Sequence, residues 1–100
     1  MTFVQIIEYE TSHADELEKA FDEWLPASEG RRTVLQELHT QDRENPGHYV
    51  DIVEFPSYEK AMQNNDLPET QHIAARLRAL CDGEPRFMNL EVAREDPVRA

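Results

Sequence analysis

The sequence predicts an α+β fold in which a four-stranded antiparallel sheet carries its helices on one face. Three observations predict it. Segments rich in β-branched and aromatic residues alternate with segments whose apolar residues recur at helical spacing, as at Leu17, Phe21, Trp24 and Leu25. Their order is strand, helix, strand, strand, helix, strand, the split βαβ order of ferredoxin-like folds, for which right-handed crossovers leave few other topologies. Apolar residues also occupy both parities of several strands, so the face opposite the helices needs a cover as well.

The first strand spans residues 2–10, TFVQIIEYE, with Phe3, Gln5, Ile7 and Tyr9 on one face and Val4, Ile6 and Glu8 on the other. Gln5 interrupts an apolar row, as a hydrogen-bonded core amide or a ligand contact would. The first helix runs from Ser12 to Leu25. Ser12 is its expected N-cap, acidic residues suit its first turn, and Pro26 is expected to end it. Trp24 lies on its apolar stripe, as core or as the wall of a pocket. In RRTVLQELHTQD, Val34, Gln36, Leu38 and Thr40 alternate with Thr33, Leu35, Glu37 and His39, which predicts the second strand.

The run Asp42 to Gly47 is a turn signal, leading by a hairpin into a third strand from His48 to Phe55. His39 and His48 flank this turn. No third ligand has metal-site spacing, so they read as solvent-exposed imidazoles and no metal is expected. Pro56 stops the strand, Ser57 caps a short helix, and Asn64, Asn65 and Pro68 break it. The second long helix, Glu69 to Cys81, has Ile73, Leu77, Leu80 and Cys81 on one stripe, flanked by Arg76 and Arg78, and ends at Asp82 and Gly83. A last strand from Arg86 to Arg94 puts Phe87, Asn89 and Glu91 opposite Met88, Leu90 and Val92. The expected core between sheet and helices is Phe3, Leu17, Phe21, Trp24, Val53, Phe55, Ile73, Leu77 and Leu80.

One hundred residues make one domain, read as 1–95 with a loose C-terminal tail at 96–100. Asp and Glu number 21 against 10 Lys and Arg, a net charge of −11, which repels nucleic-acid phosphates and anionic membrane surfaces. Without an apolar run of membrane length or a leader pattern at the N-terminus, the chain reads as cytoplasmic. The single cysteine, Cys81, reads as a small buried hydrophobe. Val4, Ile6, Val50, Ile52, Leu90 and Val92 make the second sheet face partly apolar, and a homodimer packing two sheets face to face would cover it.

The segment Phe55, Pro56, Ser57, Tyr58, Glu59, Lys60, Ala61 resembles the strand-to-helix signature of the dimeric α+β barrel superfamily, in particular its antibiotic biosynthesis monooxygenase branch. The resemblance runs in element order from Phe3 to about Glu91. Glu29 to Thr33, Asp42 to Tyr49 and Ala79 to Gly83 are similar to segments of small actinobacterial-type members. It implies a ligand site between the sheet and the helices of each protomer. Some members oxidise polycyclic aromatics with dioxygen alone, and others degrade haem. The haem-degrading pattern of Trp, His and Asn falls on Phe55, His72 and Ile7, two departures of three, which implies that haem is not the ligand.

Two function classes follow. One is a cofactor-independent monooxygenase whose small aromatic or polycyclic substrate reduces oxygen from its own carbanion, given a base and a dry pocket. The other is a non-catalytic homodimeric binding protein for a small apolar ligand. The catalytic candidates are His72, a base able to work near neutral pH, and Tyr49; the substrate-binding candidates are Gln5, Trp24, Phe55, Arg76 and Asn89. His72 is expected at the edge of its helix's apolar stripe, pointing toward the sheet. No cofactor is expected. A nucleophilic hydrolase is disfavoured, because the sequence has no Gly-x-Ser-x-Gly elbow.

Overall fold

The computed structural model describes residues 2–98, with elements β1 (Phe3–Glu10), α1 (Ala14–Ser28), β2 (Gln36–Gln41), β3 (His48–Phe55), α2 (Tyr58–Asn65), α3 (Pro68–Leu80) and β4 (Arg86–Glu91). The sheet order is β2-β3-β1-β4 and every neighbouring pair is antiparallel. This is an α+β fold of the ferredoxin-like kind, with all helices on one face.

Two buried clusters sit at opposite ends of that face. Phe3, Val53, Phe55 and Ala61 form one, with Val34 and Met62 against it; Tyr9, Leu17, Tyr49 and Leu77 form the other, joined by Ile7, Phe21 and Leu80. Their separation follows from β3, whose inward residues Tyr49, Asp51, Val53 and Phe55 alternate strictly with half-buried outward ones. The aromatic rings lie at the ends of that row. Between the ends, the helices stand off the sheet.

Several boundaries differ from expectation for local reasons. Pro26 lies inside α1, which continues to Ser28. A proline three residues from a helix end loses only one bond on an exposed turn, and the last carbonyls are taken up elsewhere: Ser28 Oγ donates to the Trp24 carbonyl at 2.7 Å and Arg31 to that of Ala27 at 3.3 Å. Ser12 does not cap α1. His13 holds that position without a side-chain cap bond, while Ser12 Oγ donates to Asp82 and Thr11 Oγ1 accepts the His13 N–H at 3.0 Å.

Ser57 caps α2 as expected, accepting from the Lys60 N–H at 3.1 Å, and Pro68 opens α3 at the position where its missing N–H costs nothing. The second strand begins at Gln36, because Thr33 is drawn to α2 through Asn64 Oδ1 and the Lys60 carbonyl. Cys81 is extended, bridging to Thr11 and half-buried, so it ends the helical stripe where it was expected to extend it. The last strand ends at Glu91, though Val92 N–H still bonds the Thr2 carbonyl at 2.9 Å. Residues 92–98 form no helix or strand. Of the expected tail, Arg99 and Ala100 lie outside the described residues, as does Met1.

Candidate functional site

Strand register places the inward side chains in rows that cross the whole sheet. One row reads Glu37, Val53, Gln5, Asn89 and the next His39, Asp51, Ile7, Phe87. All of these residues except His39 floor a cavity of about 400 Å³, walled by Phe21 and Trp24 of α1, Asn64 and Asn65 of α2, and Ile73, Ala74, Leu77 and Arg78 of α3. Phe55 closes one end. That volume suits a small organic ligand.

The walls are held in place. Trp24 Nε1–H donates to Thr70 Oγ1 at 3.2 Å while the Arg32 guanidinium sits 5.6 Å from its ring centroid on the other side. Gln5 Nε2 donates to Asn89 Oδ1 at 3.2 Å, which leaves the Gln5 carbonyl oxygen as an acceptor and the Asn89 amino group as a donor for a ligand at the β1–β4 side of the floor. Arg78 lies over the Phe87 ring, 5.5 Å from its centroid, at the cavity wall.

The β2–β3 side of the floor is ionisable. Asp51 is only 2% exposed, and both its oxygens are engaged: Tyr9 O–H donates to Oδ2 at 2.8 Å and His39 Nδ1–H donates to Oδ1 at 2.6 Å. The other His39 nitrogen lies 3.3 Å from Glu18 Oε1. The hydrogen bond that His39 donates to Asp51 holds the imidazole above its usual range, against the effect of burial, with a carboxylate at each ring nitrogen. Its plane is fixed by stacking on Tyr49 at 5.2 Å and by the edge contact with Phe21 at 5.1 Å. Burial and the Asp51 charge push the Tyr9 phenol far up, keeping it a donor. Glu37, half-buried at the cavity, is raised by burial first and by Asp51 second.

Gln5, Trp24, Phe55 and Asn89 all line this cavity. His72 and Arg76 do not. They line a separate groove of about 370 Å³ between α1 and α3, with Glu23 and Glu69, where Arg76 pairs with Glu23 and Arg31 with Glu69. The expectation that His72 points toward the sheet is thus corrected: α3 presents Ile73 and Leu77 to the sheet, and the preceding position, rotated about 100°, turns His72 to solvent. Tyr49 is buried beneath the cavity floor, stacked between Tyr9 and His39, with Gln41 Nε2 donating to its hydroxyl at 3.3 Å. It orients His39 and does not line the cavity.

Glu37, His39 and Asp51 were not anticipated as a group. The available signal was Asp51, a carboxylate in the inward row of a strand that otherwise buries Tyr49, Val53 and Phe55. The two histidines flanking the turn also depart from expectation. They lie on opposite faces of the sheet, half-buried, and each has carboxylates at both ring nitrogens, Asp51 and Glu18 for His39, Asp42 and Glu8 for His48. Among the described residues no group of three or more His, Cys, Asp or Glu is placed to hold a metal ion.

No family model matches the sequence, and no curated protein matches it. Solved structures do match. The chain is similar to SnoaB, a cofactor-independent oxygenase from Streptomyces nogalater, at 14% identity over 97% of this chain and 98% of that one, with a TM-score of 0.80. It has the fold of the antibiotic biosynthesis monooxygenases. A conserved protein from Methanosarcina mazei Go1 matches at 12% identity, 90% and 91% coverage and a TM-score of 0.80. A protein from Deinococcus radiodurans, described as a candidate antibiotic biosynthesis monooxygenase, matches at 16% identity over 100% of both chains with a TM-score of 0.78. At these identities the likeness establishes the fold and leaves the chemistry to the site.

Proposed function

We propose that this protein is a cofactor-independent monooxygenase for a small aromatic or polycyclic substrate bound between the sheet and the helices, acting as a cytoplasmic homodimer. One observation carries the reading: a cavity of about 400 Å³ walled by Phe21, Trp24, Phe55 and Phe87 meets ionisable groups on one side of its floor and an amide pair on the other. Glu37 and Asn89 stand three strand spacings apart in one row, about 14 Å between backbones, which leaves room for fused rings that address both. Gln5 and Asn89 orient the substrate, Trp24 packs against it, Phe55 closes the end of the cavity, and the apolar part of the lining shields a carbanion or phenolate as it meets oxygen.

The homodimer is supported by the outer sheet face, where Leu38 and Leu90 are exposed and Val4, Ile6, Val50 and Ile52 are half-buried. Haem is not proposed, because His72, the position that resembles the iron ligand of haem-degrading proteins, lies outside the cavity. No helix among the described residues is long and apolar enough to cross a membrane.

Trp24 is the only tryptophan and lines the cavity, so its fluorescence reports occupancy. Hydroxylated aromatics of one to four rings should quench it saturably, and hits should consume oxygen in an electrode assay. Absence of saturable quenching across the series rejects the reading. A second reading, a non-catalytic binding protein, is favoured by the finding that no histidine or tyrosine lines the cavity. Saturable binding without oxygen uptake by any hit selects it.

A further inference from the structure

We infer that Glu37 is the group that accepts the proton of a phenolic ligand bound in this cavity. The inference rests on the proposed occupancy by an aromatic and deepens it, because any such chemistry needs a base that touches the ligand and neither His72 nor Tyr49 can. The acidic side chains of the cavity lining are Glu37 and Asp51. Asp51 is unsuited: its oxygens are committed to Tyr9 and His39 at 2.8 and 2.6 Å, and it is almost fully enclosed. Among the described residues the Glu37 carboxylate is not tied up by a neighbour as that of Asp51 is, and it stands at the β2 edge of the row whose opposite edge is Asn89.

The charged groups around it come from every element nearby. Asp51 on β3 adds negative charge and His39 on β2 offsets it; Glu18 of α1 holds the far side of that imidazole, and Tyr9 of β1 stays a neutral donor. Arg78 of α3 is engaged with the Phe87 ring on the other side of the cavity. His39 is held by Asp51 and Glu18, and among the described residues Glu37 makes no ion pair of its own. Burial disfavours its charge, which makes the carboxylate a stronger base than its exposed counterparts on this surface. In the step inferred, the phenolic O–H bond breaks, its proton forms a carboxylic acid on Glu37, and the electron pair stays on the ligand as phenolate, with total charge unchanged.

The test uses alizarin, a hydroxylated anthraquinone whose neutral and ionised forms differ in colour, bound to the full-length protein and followed by both Trp24 quenching and the dye's spectrum across pH. Transfer to Glu37 should give wild type a first share of phenolate at lower pH that Glu37→Gln lacks, and because the ionised carboxylate disfavours a second charge beside it, the midpoint of the dye's full ionisation should lie about one pH unit higher in wild type than in Glu37→Gln, a roughly tenfold difference in acidity. Glu37→Asp, which keeps the charge, should retain most of that elevation. Equal midpoints in wild type and Glu37→Gln, with saturable Trp24 quenching in both, overturn the inference and leave the cavity reading standing, as does a Glu37→Asp protein that behaves like Glu37→Gln. Absence of saturable quenching in any of the proteins overturns the cavity reading and the inference with it.

Discussion

The two faces of the sheet hold the same residue type in the same kind of ion pair and make different things of it. His39 and His48 flank one turn, and each ring lies between two carboxylates. On the inner face, His39 is locked by Tyr49 and Phe21 and anchored to a buried Asp51, at the edge of an organic-ligand cavity. On the outer face, His48 bonds Asp42 and Glu8 within reach of solvent, and Arg86 lies 3.8 Å from the same Glu8. Hydrogen bonds donated to Asp42 and then to Glu8 raise His48, as the one donated to Asp51 raises His39. What separates them is packing: an ion pair that solvent screens contributes little, and one enclosed by aromatic rings constrains everything around it.

Truncation at the inner face should be the most damaging change. Phe55→Ala, at a position 1% exposed, is expected to cost about 3 to 5 kcal/mol in urea unfolding. A loss under about 1 kcal/mol would mean that the inner face is not the core. Asp51→Ala should cost about 3 kcal/mol, because the His39 ring and the Tyr9 hydroxyl lose a shared buried acceptor; Asp42→Ala, the matching change at His48, should be nearly silent. Equal effects in the two variants would erase the distinction between the faces.

The outer face should respond in assembly more than in folding. Ile52→Glu is expected to weaken the proposed dimer by about 2 kcal/mol, read by light scattering as a fall toward the 11.7 kDa monomer at micromolar concentration. A wild-type protein that is already monomeric there refutes the sheet-to-sheet dimer.

The smallest expected effect is on pH dependence. Glu37 and His39 both bind their protons more tightly folded than unfolded, so each adds stability that is full below its ordinary value, 4.5 for Glu37 and 6.5 for His39, and is lost as pH rises through the folded value. Stability should therefore fall with pH in two windows, one opening above 4.5 and one above 6.5. Glu37→Gln should flatten the first and His39→Gln the second in melting curves taken across pH. A window that persists in its variant reassigns that titration.

Much of this was legible in residue pattern. The alternation of Tyr49, Val53 and Phe55, the stripe of Leu17, Phe21 and Trp24, and the cap at Ser57 each announce an element through a local rule that the fold then obeys. Boundaries were less legible, since Pro26 continues its helix once Ser28 and Arg31 accept the work of capping its last turn. Among site residues, Gln5 and Asn89 were visible as polar interruptions of apolar strand rows. His72 was misplaced because one step along a helix is a rotation of about 100°, and the edge of a stripe can turn either way.

Sequence alone determined which residues share a face, since a strand's period of two and a helix's period of 3.6 are properties of the backbone. Only the tertiary structure decided which residues meet. The register of β2 on β3 sets His39 opposite Asp51 and Glu37 opposite Val53, and the aromatic clusters at the two ends hold the helices off the sheet above those positions. Shifting that register by one residue would turn Glu37 and His39 to the outer face. A pairing between residues twelve positions apart, and the cavity it borders, is a consequence of long-range strand registration that no local pattern encodes.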